Sequence, residues 1–292
     1  MAKQSSSLLS QSWGEFTHLL QNRWQTYMWY VILRFVIAVV FFAASAALLY
    51  GPILEMIGNA EALLDGAFDW MSYVPYLGVF GIFALVTSLV GMVITFGFYR
   101  VVLDDKAAQT AGEVWSRGTK NYWMTLLSMI GFGILATLLI GIGFVLLVVP
   151  GIYLALGLSF GMFLVIIDHD GPLEAIKHSR ALVSGRWWSV FGALLFWGVL
   201  SGVVLMIIDV VFKLGLSSVV DFSALESLES GLSADVAQQN FQAALDSVSQ
   251  MFSLFVNPST VGIYSIQMLL QSIVGIVPMY GVLAVYKSLR KN

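Results

Sequence analysis

From Met124 to Ile167 the chain runs for 44 residues without a single Asp, Glu, Lys, Arg or His. One bilayer crossing takes about 20 apolar residues, because a helix rises about 1.5 Å per residue through a hydrocarbon core near 30 Å. The run is therefore too long for one crossing and suits two joined by a tight turn, for which "VVPG" at 148–151 supplies the chemistry. Composition points the same way. The chain is 59% hydrophobic and 11% charged, against roughly 45–50% and about 25% in soluble domains. Lipid is its solvent. The runs are continuously apolar rather than alternating, which excludes a β-barrel.

The expected fold is all-α: a single polytopic membrane domain over 1–292 with six transmembrane helices. The spans fall at about 28–50, 76–102, 124–146, 150–167, 188–208 and 261–286, with an outer segment at 210–257. Charge tests this count. Six spans place Lys3, Arg23, Arg34, Arg100, Lys106, Arg117, Lys120, Lys177, Arg180, Arg186, Lys287, Arg290 and Lys291 on one side, and only Lys213 on the other. The other side instead carries acids, among them Glu55, Glu61, Asp65, Asp69, Asp209 and Asp235. The positive-inside rule then makes both termini cytoplasmic. The first 27 residues lack the apolar core of a signal peptide, so the N-terminus is expected to be retained.

Each pair of spans follows a cytoplasmic segment with a glutamate, basic residues and tryptophan. These are Glu15, Arg23 and Trp24; Glu113, Arg117, Lys120 and Trp123; and Glu174, Arg186, Trp187 and Trp188. The pattern is either three copies of one hairpin unit or the generic look of a membrane interface.

The third of these segments, residues 171–192, concentrates charge. Gly171 or Asp170 can cap a helix, Pro172 suits its first position, Glu174 suits its first turn, and Gly185 can stop it. Leu173, Ile176, Ser179, Leu182 and Val183 form its apolar face. This is a short interfacial helix beside the tryptophan belt of Trp187 and Trp188. Three readings stand for Lys177, His178, Arg180 and Arg186: electrostatic anchoring on the inner leaflet, selective recognition of a phospholipid headgroup, or docking of a cytoplasmic partner. Arg117 and Lys120 join this headgroup set from the preceding segment.

The same region carries a resemblance. Pro150-Gly151, Asp168 to Pro172, Glu174-Ala175-Ile176, Ser179, Leu182, Gly185 and Trp188 resemble a signature of prokaryotic multi-pass families. They are the YciC-like inner-membrane proteins and the glycerophosphoryl diester phosphodiesterase membrane domain. The match covers about 145–195. It implies a location in the cell inner membrane, and a membrane module from which the family's soluble catalytic domain is absent.

Other constellations keep two readings each. Asp168-His169-Asp170 is a polar helix end or a fragment of a metal site. Glu61, Asp65 and Asp69, four residues apart, form a solvated face or hold a divalent cation. Gln267 and Gln271 share a face with Gly275 and Pro278 in span six, either bonding to a neighbouring helix or lining a polar cavity. The pairs Gly157/Gly161 and Gly198/Gly202 are GxxxG steps that mark internal packing or homodimerisation. A stripe from Ala237 to Phe255 predicts an outer amphipathic helix that lies on the membrane or the bundle, or meets a partner.

The chain has no cysteine, and no nucleophile elbow, HExxH or Walker loop. No catalytic residue, metal or cofactor is expected, and nothing suggests nucleic-acid binding. The expected protein is non-enzymatic: a phospholipid-binding protein, or a membrane scaffold or subunit with a membrane or cytoplasmic protein partner. The alternative is a permease or lipid translocator working through the polar face of span six.

Overall fold

The computed structural model describes residues 7–58, 69–217 and 258–291. Glu61 and Asp65 of the acidic face, most of the outer segment, and the whole Ala237–Phe255 stripe lie outside these residues. Among the described residues every regular element is helical. In order they are α1 (Leu8–Gly58), a 3-10 turn (Trp70–Ser72), α2 (Val74–Leu103), α3 (Ala111–Thr119), α4 (Tyr122–Leu146), α5 (Val148–Leu158), α6 (Gly161–Ile167), α7 (Pro172–Val183), α8 (Trp187–Ser217), α9 (Pro258–Val274) and α10 (Ile276–Arg290). Six stretches are long and apolar enough to cross a membrane: Leu8–Pro52, Val74–Leu103, Tyr122–Leu146, Val148–Ile167, Trp187–Phe212 and Ser265–Arg290.

The number of apolar stretches agrees with expectation. The helix that carries the first of them is longer than the span itself, because α1 runs unbroken from Leu8. Nothing between Ser7 and Pro52 stops a helix, and its first turns have a face to bury. Leu8, Ser12, Phe16, Leu19, Arg23 and Thr26 recur at three- and four-residue steps, and all are buried. The hairpin turn also moves. Leu147 alone is extended (φ −165°, ψ 151°), and "VVPG" is the first turn of α5. Pro150 is tolerated there because the first amides of a helix have no partner inside it. The fourth span is interrupted at Ser159–Phe160 and the sixth at Gly275.

The chain divides into two compact units. One comprises Met1–Arg34, Val90–Val204 and Ile273–Asn292; the other comprises Phe35–Leu89 and Leu205–Ser272. Every described basic residue except Lys213 falls in the first. In the second unit Phe41 stacks on Phe83 with centroids 5.5 Å apart. Much of its helical surface is bare and apolar, with Leu77, Ile82 and Met206 all more than 60% exposed. Water would penalise such a surface, whereas lipid does not.

In the first unit the core is aromatic: Phe96, Phe98, Phe160, Trp197, Tyr280 and Tyr286 are fully buried. Short helices cross the ends of the spans at very close range. A Cβ on Gly97 of α2 would overlap the Val114 carbonyl of α3, and one on Gly118 of α3 would overlap the Val93 carbonyl of α2. Helix α7 meets α5 in a comparable way. Ser179 Oγ donates to the Gly157 carbonyl at 2.8 Å and accepts from the Phe160 amide at 3.3 Å. So α3 and α7 each pack a small residue against the span before them, which two of the three repeated segments share.

Not every small-residue step packs internally. Gly161 lies against the Phe132 ring, but a side chain on Gly198 or Gly202 would meet only open space.

Candidate functional site

Helix α7 forms as its residues dictate. Gly171 caps it, Pro172 takes the first position, and Glu174 Oε2 accepts the Gly171 amide at 3.1 Å. Gly185, at φ +74°, turns the chain into α8 through a conformation that side chains disfavour. Ala175, Ile176, Ser179 and Val183 are buried. Leu173, expected on that face, is instead 62% exposed.

This geometry disperses the expected headgroup cluster. Lys177 is exposed. His178 Nδ1 pairs with Asp170 Oδ2 at 2.6 Å. Arg186 Nη2 reaches back to the Leu289 carbonyl at 3.5 Å, so it ties the start of α8 to the end of α10. Arg180 and Trp187 stay together, lining a cleft of about 230 Å³ with Tyr153, Gly157 and Ser184. Trp187 stacks on Tyr153 (centroids 6.0 Å, 18°) and on Phe191 (5.6 Å, 5°). Trp188 stands edge-on to Trp187 and is 76% exposed. Two polar groups in this cleft lack partners among the described residues: the Arg180 guanidinium has no acid, and the buried Trp187 Nε1 has no acceptor.

Arg117 and Lys120 belong to a second cleft. It measures about 400 Å³ and is lined by Arg100, Asp104, Arg117, Lys120 and His169, with Leu103 and Ile167. Arg117 is engaged with Glu113 at 2.6 Å and Asp104 at 2.8 Å. Asp104 is held below the usual carboxylate range by the Lys106 amide and then by Arg117. The Lys120 ammonium has no acidic partner among the described residues.

Arg100 is the organising residue of this cleft, and sequence reasoning counted it only as a flanking charge. It is 9% exposed. Its Nε donates to the Ile166 carbonyl at 2.8 Å, and Nη1 donates to the Arg117 and Lys120 carbonyls, each at 2.7 Å. Nη2 donates to Thr125 Oγ1 at 2.8 Å and lies 3.4 Å from His169 Nδ1. One guanidinium thus joins the ends of α2, α3 and α6 to the start of α4. Arg23 does similar work, donating to the Asp104 carbonyl at 2.7 Å and the Ala107 carbonyl at 2.9 Å.

The tripeptide Asp168-His169-Asp170 sends its side chains to three different partners. Asp168 meets Arg290 at 3.1 Å, Asp170 meets His178, and His169 meets Arg100. Partial burial pushes the His169 pKa down, the Arg100 and Lys120 charges push it further, and Asp168 opposes them. A base whose folded pKa lies below its unfolded value contributes full stability above that unfolded value, near 6.5, and loses it as pH falls through it. Thermal unfolding at pH 7.5 and pH 5.5 should therefore show the native chain losing more than His169→Gln.

In the second unit the polar face of span six is occupied. Gln267 Nε2 and Gln271 Nε2 both donate to Asp209 Oδ1, at 3.3 and 2.7 Å. Pro278 sits in the first turn of α10, just after the break at Gly275. The interhelical reading therefore describes these amides, with Asp209 as the partner that sequence spacing could not supply. Gln267→Leu with Gln271→Leu should destabilise the chain by about 1–3 kcal/mol, since the carboxylate is left without its donors. Adding Asp209→Leu should recover most of that loss. Equal melting of the double variant and the native chain would contradict this role.

A family profile described as "Domain of unknown function (DUF7847)" matches residues 117–289. A UPF0259 membrane protein of Pectobacterium carotovorum subsp. carotovorum (strain PC1) is 37% identical over 93 residues, which is 32% of this chain. The matched part spans about a third (36%) of that relative's length. No solved structure matches.

Proposed function

We propose that this chain, which belongs to the family described as "Domain of unknown function (DUF7847)", binds anionic phospholipid in the inner membrane without catalysing a reaction. The binding element is the Arg180–Trp187 cleft, and the charge asymmetry along the chain supports assigning it to the cytoplasmic leaflet. The observation that carries this reading is the pair of unused donors there. A buried indole N–H without an acceptor is uncommon and costs free energy comparable to a lost hydrogen bond. Beside it stands a guanidinium with no acid, in a wall built from stacked aromatic rings. A phosphodiester supplies an oxygen acceptor for the guanidinium directly and for the shielded indole N–H once the ring turns toward the cleft, and a flanking acyl chain supplies the apolar surface that Tyr153 and Trp187 favour.

The resemblance of residues 145–195 to YciC-like inner-membrane proteins supports the membrane assignment. The engagement of Gln267 and Gln271 by Asp209 favours lipid binding over a permease route through span six. Lys177, exposed on the same helix, adds charge for an anionic leaflet on the order of 1 kcal/mol.

The test is native mass spectrometry of the full chain extracted directly into lipid nanodiscs. The native chain should retain phosphatidylglycerol above its share of the membrane. Arg180→Glu should lower that retention at least about tenfold, the equivalent of ~1.4 kcal/mol. Trp187→Phe, which removes the N–H together with part of the stacked ring, should lower it at least about fivefold, the equivalent of one hydrogen bond of ~1 kcal/mol. Unchanged retention in a folded Arg180→Glu variant would refute the proposal.

A further inference from the structure

The second cleft is independent of the first, sharing no residue with it, and its chemistry points to a different ligand contact. We infer that the cleft lined by Arg100, Arg117, Lys120 and His169 is a binding site for a phosphate monoester group, carried either by a soluble molecule or by a lipid headgroup.

The argument begins with what each lining group has left to offer. Arg100 has committed all its N–H directions to carbonyls, a hydroxyl and an imidazole. It has no carboxylate partner among the described residues, so it contributes a fixed positive charge rather than a contact. Two of its acceptors are backbone groups at the C-terminal ends of α3 and α6. These offset part of its charge, but helices of nine and seven residues carry well under a full charge at their ends. Arg117 spends Nε on Glu113 and Nη1 on Asp104, which leaves Nη2 for the cleft. Lys120 brings three donors and has no acidic partner among the described residues.

His169 completes the set. Guanidinium groups only donate, so Nδ1 facing Arg100 must be the accepting nitrogen, and Nε2 then carries the proton. Its backbone lies in the left-handed region at φ 59°, which side-chain-bearing residues disfavour. The chain holds an unfavourable conformation at the point where the ring joins the cleft wall.

Asp104 is the one acid in the lining, and its two oxygens already accept from the Lys106 amide and from Arg117. The direct donors that remain are Lys120 Nζ, Arg117 Nη2 and His169 Nε2. A tetrahedral dianion with three terminal oxygens fits three donors and the surplus positive charge, whereas a phosphodiester offers only two such oxygens. The volume of about 400 Å³ admits the phosphate with a small organic group attached.

The experiment uses the full chain in phosphatidylcholine nanodiscs with 15N-labelled histidine. The chain has only three histidines, His18, His169 and His178, and His169→Gln assigns the relevant signal. In one arm inorganic phosphate and glycerol 3-phosphate are titrated at constant ionic strength. In the other, phosphatidic acid is added to the bilayer without soluble phosphate.

A saturable shift of the His169 signal, weakened at least tenfold by Lys120→Gln and retained in Arg180→Glu, is the expected result. Appearance in the first arm alone identifies a soluble ligand, and in the second alone a lipid headgroup; either supports the site. No response in both arms, an equal response to chloride, or an unchanged response in Lys120→Gln would overturn it. Because Arg180→Glu separates the two clefts, loss of phosphatidylglycerol retention and loss of this signal report on different sites.

Discussion

Gly97→Ala is expected to leave the chain largely unfolded or strongly destabilised, and this is the largest effect expected of adding one methyl to any described glycine. The new Cβ would overlap the Val114 carbonyl, and the reciprocal contact from Gly118 to the Val93 carbonyl lies beside it. Both obstructing groups are backbone, so no rotamer change relieves the overlap. Helices α2 and α3 would have to separate, and the Arg100 bonds to the end of α3 would lengthen with them. Overpacking usually costs about 1–3 kcal/mol, and a backbone obstruction belongs at or above the upper end. Gly112→Ala is the matching control. It lies in the first turn of the same short helix with nothing within 4 Å, so alanine there should stabilise by roughly 0.5–1 kcal/mol through helix propensity. Thermal unfolding in nanodiscs would show shifts of opposite sign. Equal melting of Gly97→Ala and the native chain would mean that the close crossing does not exist in the membrane.

Arg100→Met is expected to have the second largest effect. It removes a buried guanidinium and strands the Ile166, Arg117 and Lys120 carbonyls that now accept from it. An orphaned buried acceptor costs about 1–3 kcal/mol, and water entering from the adjoining cleft would relieve part of the total, which leaves a loss of roughly 3–5 kcal/mol. Arg100→Lys separates charge from geometry. An ammonium keeps the charge but cannot reproduce a planar fork serving three chain segments, so it should recover only a minor part of the lost stability. Full recovery by lysine would show that charge alone matters at this position.

These two residues illustrate what was legible in the sequence. The spans could be read because continuous apolar runs in a chain with little charge have few alternatives. The caps of α7 could be read because capping is local chemistry between residues three or four positions apart. The roles of the basic residues could not. Arg117 and Arg186 have the position and composition expected of headgroup ligands, yet one is engaged by Asp104 and Glu113 and the other reaches the Leu289 carbonyl. Arg100 has nothing in its neighbourhood to mark it as a junction, since its partners lie between 17 and 69 residues away. The unbroken course of α1 was legible in hindsight from the missing helix breakers, but the burial of Arg23 needed the loop carrying Asp104 and Ala107.

By itself, then, the sequence determined the solvent, the helical class, the number of apolar crossings and the asymmetry of charge along the chain. Each follows from transfer free energies that sum over residues whatever their neighbours are. The tertiary structure alone decided which cations remain available and which are used as internal braces. Whether a guanidinium or ammonium meets lipid phosphate, carboxylate or backbone carbonyl depends on which of them folding brings within about 3 Å. At Arg100 folding brought carbonyls and at Arg117 carboxylates, while at Arg180 and Lys120 it brought neither among the described residues and left a cleft beside each.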